Sequence, residues 1–190
     1  MPEPIRIELP ATREALALLH AGDEVLLSGP VYTARDAGHE RLLAAVKRDG
    51  VLPFDLAGQT LFYAGPTPAA DGFPAGSVGP TTAKRMDAST LALLRAGIVA
   101  TIGKGARSEV VRRAIAETGS VYFAAVGGAA ALLGQHVNAA EPVAWPELGT
   151  EALVRLTLRD FPVFVATDAA GNDLYESAPE QWRAERGIRP

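Results

Sequence analysis

Three short segments of the sequence bring cationic and hydroxyl side chains to positions where a loop meets a helix or a strand ends. Thr81, Thr82 and Arg85 follow a rigid Gly-Pro entry. Arg35 lies in a second Gly-Pro loop that leads into a helix, and Lys104 stands between two glycines. Helix starts favour anions, and a guanidinium can bind a carboxylate with two parallel hydrogen bonds. Three such cations would together suit a small molecule with two carboxylates.

Each segment also has a purely structural interpretation. Threonine is a common helix cap, so the segment with Thr81 and Thr82, taken alone, favours a cap over a binding site. Surface arginines and lysines are mostly solvated. Asp36 has the type and position of a cap for the helix that follows Arg35, and we assign no chemical role to Asp36 or to His39.

Composition limits the classes of protein that are possible. The 190 residues, 48% of them apolar and 21% charged, fit one ordinary globular domain or two small ones, and we expect one domain over 1–190. With 18 Lys and Arg against 22 Asp and Glu the net charge is −4, so we expect no nucleic-acid partner. The chain start lacks the pattern of a signal peptide and no apolar run is long enough to span a membrane. We therefore expect a cytoplasmic protein.

The absence of cysteine excludes several kinds of site from this chain. Without cysteine it cannot by itself hold an iron-sulfur cluster or a thiolate zinc site, and it has no cysteine nucleophile. The three histidines are isolated in the sequence, so we expect no metal site here.

Apolar periodicity predicts strands that alternate with helices. Ser28-Gly29-Pro30 predicts a turn, and a long loop follows from Gly65 to Pro80. The predicted strands are 25–27, 61–64, 98–102, 121–126, 153–158 and 162–167, and the predicted helices are 12–22, 36–47, 82–97, 108–118, a short one after 127–128, and 180–186. Strand 98–102, helix 108–118 and strand 121–126 imply a parallel crossover, which would make Lys104 and Gly127 neighbours at one sheet edge.

Five blocks of sequence, in order, resemble a known enzyme family. They are Gly29 to His39, Gly79 to Asp87, Gly103-Lys104-Gly105, Gly127 to Ala131, and Asp160-Phe161-Pro162 followed by Gly171-Asn172-Asp173. Together they resemble the class I, iron-sulfur, fumarate and tartrate hydro-lyases. The resemblance is to the part that forms the C-terminal domain in one-chain members and a separate beta subunit in two-chain members.

The resemblance implies a fold, a partner and a set of site residues. The fold would be α/β, a single swivelling β/β/α domain with a partly parallel sheet and flanking helices. An alpha subunit would hold a [4Fe-4S] cluster through three cysteines, while this chain would supply cations and hydroxyls to a dicarboxylate substrate. By matching position the substrate contacts would be Arg35, Thr81, Thr82, Arg85 and Lys104. Thr81 is the candidate catalytic residue, which we expect to orient the substrate first because a threonine hydroxyl is a poor base.

The function expected from this resemblance is that of the beta subunit of fumarate hydratase, which interconverts fumarate and malate with the alpha subunit. L-Tartrate dehydratase is the alternative, because its substrate differs by one hydroxyl. A stand-alone dicarboxylate-binding module without catalysis is a second alternative. The third is an α/β domain whose threonines and arginines only cap helices.

Overall fold

Four parallel strands form the middle of the fold, and the last strand of the chain closes them into a ring. The computed structural model describes residues 3–188. In that range the strands are β1 (Ile5–Glu8), β2 (Glu24–Thr33), β3 (Thr60–Phe62), β4 (Ala100–Gly103), β5 (Val121–Ala124), β6 (Val137–Ala144) and β7 (Leu153–Thr167). The α-helices are α1 (Arg13–Leu16), α2 (Asp36–Asp49), α3 (Asp87–Arg95), α4 (Glu109–Thr118), α5 (Ala130–Gly134) and α6 (Leu174–Glu185), with 3-10 helices at Ala83–Met86 and Pro146–Glu151.

The strand order is β1-β2-β3-β4-β5-β7-β6, with a second pairing between β2 and β7. Strands β1 to β5 run parallel to their neighbours. Strand β7 runs antiparallel to β2, β5 and β6. Because β7 pairs with both β2 and β5, the sheet curls until its two sides meet. The predicted parallel crossover from β4 through α4 to β5 is confirmed.

Two apolar cores follow from the alternation of side chains along the strands. Phe62 and Phe123 join the cluster inside the closed sheet. Leu61 and Tyr122 point the other way and pack against residues of α2, α3 and α4, among them Leu42. Neighbours in a strand face opposite sides of a sheet, so each strand contributes to both cores. The predicted α/β class, with a partly parallel sheet and flanking helices, is confirmed.

Two predictions at strand breaks are wrong. Ser28-Gly29-Pro30 is not a turn but the middle of β2, and 153–158 and 162–167 are not two strands but one, β7. Both errors come from one irregularity, a bulge where Ser28 faces Arg159 and Asp160. The Asp160 N–H donates to Ser28 Oγ at 3.0 Å, and Asp160 has φ 49°. Turn-forming residue types therefore mark a bulge here and do not end either strand.

Other boundaries differ by smaller amounts. Strands β1 and β6 were not predicted, α1 ends at Leu16 and not near Gly22, and α6 begins six residues before the predicted 180. The loop between β3 and the 3-10 helix at Ala83–Met86 is long and irregular, as expected. Among residues 3–188, no helix is long and apolar enough to cross a membrane.

Gly29 is required by both its backbone angle and its surroundings. Its φ is +110°, and a Cβ built there would lie 2.3 Å from the carbonyl oxygen of Leu9. We expect Gly29→Ala to lower the free energy of unfolding by about 2 to 4 kcal/mol, the sum of an unfavourable φ and a backbone clash. The measurement is urea denaturation.

Gly50→Ala is the matched control. Gly50 ends α2 with φ +75°, but nothing lies within 4 Å of a Cβ built there. Gly50→Ala should lower the free energy of unfolding by only about 1 kcal/mol, because the strain of the left-handed conformation is its only cost. Equal losses for the two variants would show that the contact with Leu9 does not matter.

Candidate functional site

The candidate site lies at the carboxyl ends of the parallel strands. Arg35 follows β2 by two residues, and Lys104 directly follows β4. Strands β2, β3, β4 and β5 are mutually parallel, so the loops after them share one edge of the sheet. A Cβ added to Gly127, in the loop after β5, would lie 3.3 Å from Cδ of Lys104. The predicted contact between Lys104 and Gly127 is confirmed.

The segment with the two threonines is inserted between the ends of β3 and β4. The Thr81 N–H donates to the carbonyl of Tyr63 at 2.6 Å, and the Lys104 N–H donates to the carbonyl of Thr81 at 3.1 Å. The Ala83 N–H then donates to the carbonyl of Lys104 at 2.9 Å. Thr82 consequently pairs with Lys104 as one step of a parallel ladder. These backbone bonds hold both hydroxyl-bearing residues beside the lysine.

Thr82 does not have the capping role that its type suggests. The 3-10 helix Ala83–Met86 has Thr82 at its N-cap position, but the Thr82 side chain makes no capping hydrogen bond. Thr82 is exposed, whereas Thr81 keeps only 8% of its surface. The predicted start of a long helix at this point is a short 3-10 turn, which offers less of a dipole to an anion than a full helix does.

Arg85 is tied to the second arginine segment through Asp36. Its Nε lies 3.1 Å from Oδ1 of Asp36, and its Nη2 hydrogen-bonds to Oδ2 of the same carboxylate. The Arg85 N–H donates to the carbonyl of Thr82 at 3.2 Å. The arginine is therefore also bonded to the segment Thr81-Thr82, which we call the threonine turn. A bidentate pair of this kind fixes the plane of the guanidinium.

Arg35 is paired with a different carboxylate. Its Nη2 lies 3.2 Å from Oε1 of Glu151, and Oε2 of Glu151 accepts the N–H of Ala37 at 2.7 Å. Glu151 therefore caps the first turn of α2. The position of Asp36 in the sequence suggests this capping role for Asp36, but Glu151 fills it. Arg35 Nε is buried without a hydrogen-bond partner and lies 3.1 Å from where Gly65 would carry a Cβ.

The structure thus brings the five predicted residues together in two connected groups. Backbone hydrogen bonds join Thr81, Thr82 and Lys104, and ion pairs with neighbouring acids hold Arg85 and Arg35. Among the described residues, these five line neither the cleft between α2 and α3 nor the apolar groove beside α5. The site is an edge of the sheet, with Arg85 exposed and Arg35 partly covered.

A buried arginine behind the site was missed by the sequence reasoning. The side chain of Arg107 has no exposed surface. Its Nε donates to Asp87 at 2.8 Å, its Nη1 to the Tyr63 hydroxyl at 3.0 Å, and its Nη2 to the Thr90 hydroxyl at 2.7 Å. The guanidinium carbon lies 5.2 Å and 5.0 Å from the ring centroids of Tyr63 and Tyr122. All of these are contacts that keep a buried charge satisfied.

Arg107 connects the core to the Gly-Lys-Gly turn. Burial alone would lower the pKa of Arg107, but Tyr63 and Asp87 raise it overall, so the side chain stays charged. Burial raises the pKa of Tyr122, whose neutral hydroxyl donates to the carbonyl of Gly105 at 2.8 Å. In the sequence, Arg107 is marked only by its position two residues after Gly105, and this position gives no indication that the side chain is buried.

His39 is a neutral core residue next to the site. It is 2% exposed, neither ring nitrogen has a hydrogen-bond partner, and its ring packs edge-on against Tyr63 with centroids 5.0 Å apart. Burial, with a smaller contribution from the charge of Arg107, lowers the pKa of His39 from 6.5 to about 4. The imidazole therefore carries no charge at neutral pH and offers none to an anion.

Comparison with known proteins identifies the family. Residues 2–178 match the family described as the fumarase C-terminus, and the chain belongs to that family. Fumarate hydratase 2 of Leishmania major is 36% identical over 165 residues, covering 86% of this chain and 29% of that protein. The anaerobic class I fumarate hydratase of Escherichia coli K12 is 39% identical over 153 residues, covering 79% of this chain and 28% of that protein.

A third relative has nearly the same extent as this chain. It is the protein of Methanocaldococcus jannaschii named "Putative L(+)-tartrate dehydratase subunit beta", 37% identical over 171 residues, covering 87% of this chain and 88% of that protein. The chain therefore spans less than a third of the two fumarate hydratases but most of the relative named as a subunit.

The neutral, buried state of His39 predicts a pH-dependent stability. The unfolded histidine has the higher pKa, so it binds a proton between pH 6.5 and about 4 while the folded one does not. The contribution of neutral His39 to the free energy of unfolding is complete above pH 6.5 and is lost as the pH falls toward 4. At pH 5 we expect a loss of about 2 kcal/mol of unfolding free energy relative to pH 7 from this group.

The comparison variant is His39→Leu, since neither ring nitrogen has a partner to lose. Urea denaturation of both proteins at pH 7 and pH 5 should show a drop for the natural chain that is about 2 kcal/mol larger than for the variant. An equal drop in the two proteins would mean that His39 has the same pKa in the folded and the unfolded chain.

Proposed function

We propose that this chain is the beta subunit of an iron-sulfur hydro-lyase, and that the assembled enzyme interconverts fumarate and malate. One observation carries the proposal. In a chain of the fumarase C-terminus family, the threonine turn and Lys104 are clamped together at a sheet edge that also presents Arg85 and Arg35. The names of the fumarate hydratases in the same family supply the substrate class.

The residues at this edge suit the binding of a small dianion. Arg85, Arg35 and Lys104 would bind the two carboxylates, and the hydroxyls of Thr81 and Thr82 would donate hydrogen bonds to them. Removing a proton from the carbon beside a carboxylate builds negative charge on that carboxylate. Cations already in place there stabilise the charge as it develops, which lowers the barrier.

Thr81 is the candidate catalytic residue of this chain. It is buried, both of its backbone groups are hydrogen-bonded, and the next residue pairs with Lys104. A threonine hydroxyl is a poor base unless neighbouring cations lower its pKa or a carboxylate of the partner assists it. We therefore assign Thr81 the orientation of the substrate first and a part in the proton transfer second.

The iron-sulfur cluster of the proposed enzyme does not fit the donors of this chain. The sequence has no cysteine, and residues 3–188 hold no group of three or more histidine, aspartate and glutamate side chains placed to bind a metal. Thiolates are the usual ligands of such clusters. We therefore assign the [4Fe-4S] cluster to a cysteine-bearing alpha subunit, as the family resemblance implies, and give this chain no part in holding it.

The same partner would enclose the substrate. Thr82 and Arg85 are exposed and Lys104 is half-buried, so water screens the site in this chain alone. A second subunit that closes over the edge would exclude this water and strengthen every ionic contact with the substrate. The predicted swivelling of this domain is the motion that would open and close the site, and we place the assembly in the cytoplasm.

Tartrate dehydratase is the second candidate, because the relative of the same extent bears that name. Tartrate differs from malate by one hydroxyl, and a site that hydrogen-bonds this hydroxyl rejects the substrate lacking it. The test is to co-express the chain with a cluster-bearing alpha chain under anaerobic conditions and to measure kcat/KM for fumarate, malate and L-tartrate. We expect fumarate and malate to be preferred.

Two variants test the assigned cations. We expect Arg85→Ala and Lys104→Ala each to lower kcat/KM of the assembled enzyme by about 100-fold, since each removes a charge that pairs with a substrate carboxylate. The control is Arg95→Ala, which removes an equally exposed arginine on α3 that pairs with Glu117. Its kcat/KM should stay within about twofold.

Other outcomes point to the remaining alternatives. If Arg85→Ala and Lys104→Ala both stay within a few-fold of the natural enzyme, these side chains serve only the fold. If the chain alone binds malate tightly and stays monomeric beside the alpha chain, it is a stand-alone binding module. In either case the proposed hydro-lyase subunit is wrong.

A further inference from the structure

We propose that Asp36 is a positioning residue, which holds the guanidinium of Arg85 in the plane and direction needed to receive a substrate carboxylate. The inference rests on the proposed function and extends it to a residue that does not touch the substrate. Asp36 and Arg85 lie 49 positions apart in the chain, on α2 and on the 3-10 helix that follows the threonine turn.

The geometry of the pair is what supports this role. Asp36 binds the Nε side of Arg85, using Nε at 3.1 Å and one N–H of Nη2. A guanidinium has five N–H groups, so this leaves both N–H groups of Nη1 and the second one of Nη2. Those remaining groups form the end-on edge of the fork, which can bind a second carboxylate in the same bidentate manner. Asp36 can thus orient Arg85 while leaving this end-on edge unoccupied by Asp36 itself.

A purely structural role for Asp36 is not supported by its contacts. The helix-capping bond at the start of α2 comes from Glu151, which accepts the N–H of Ala37 at 2.7 Å. The Asp36 and Arg85 side chains are 34% and 54% exposed, and ion pairs this accessible contribute little to folding. The value of the pair therefore lies in ordering a long side chain before the substrate arrives, which saves conformational entropy on binding.

The direct test is Asp36→Asn in the enzyme assembled with its alpha chain. The amide keeps the shape of the side chain but loses the charge and one acceptor. We expect KM for fumarate to rise about three- to tenfold, which corresponds to ordering one flexible side chain. The kcat should stay within about twofold, because the bound substrate itself orders Arg85, so the interactions that Arg85 makes in the transition state are retained.

Two further variants separate positioning from a general effect. Glu147→Gln removes the charge that pairs with Arg41 of α2, an ion pair that includes none of the five site residues, and should change neither KM nor kcat. In the Arg85→Ala background, adding Asp36→Asn should cause no further loss, because Asp36 acts only through Arg85. Additive losses in the double variant would overturn the inference, and so would an unchanged KM in Asp36→Asn.

A fall in KM for Asp36→Asn would also overturn the inference, since Asp36 would then compete with the substrate for Arg85.

A second readout does not depend on activity. In arginine side-chain NMR spectra of this chain, the Nε–H signal of Arg85, assigned with Arg85→Lys, should be sharp and should broaden in Asp36→Asn but not in Glu147→Gln. An inactive natural enzyme with this NMR result would overturn the proposed function while leaving Asp36 as the residue that orders Arg85.

Discussion

The antiparallel pairing of β7 with both β2 and β5 is the constraint on which the rest of the structure depends. It closes the parallel strands into a ring, gives Phe62 and Phe123 a dry interior, and leaves the opposite sheet face for the helices. A closed sheet has fewer free edges, and its strands cannot spread apart. The carboxyl ends of β2, β3, β4 and β5 therefore stay at fixed distances, and the site is built on these ends.

Local patterns in the sequence predicted most helices and the parallel crossover, but they failed where the sheet closes. Periodicity and turn chemistry describe what a segment prefers on its own. At Gly29 and Asp160 the residue types are those of turns, yet long-range pairing carries both strands through the irregularity as a bulge. Strands β1 and β6 depend on neighbours that are distant in sequence, and such partners leave little trace in a local window.

The candidate site shows the same division between local and long-range information. Residue type and loop position made Arg35, Arg85 and Lys104 candidates, and the crossover rule correctly placed Lys104 beside Gly127. The carboxylates that hold the arginines were not predicted, because Asp36 and Glu151 reach them from other elements. Arg107 was missed for a related reason: an arginine is ordinarily a surface residue, and only the fold reveals the partners that satisfy it when buried.

The loop between β3 and the threonine turn is free to vary without disturbing the residues at its exit. It is attached at its base, where Ala64 pairs with Pro80, and again where the Val78 N–H donates to the carbonyl of Ala130. The tip, around Asp71 and Phe73, is exposed. Insertions, deletions or a proteolytic cut at the tip would leave both anchors in place. The tip of this loop could therefore change in evolution to match different neighbouring surfaces, while the hydroxyl groups of Thr81 and Thr82 keep their geometry.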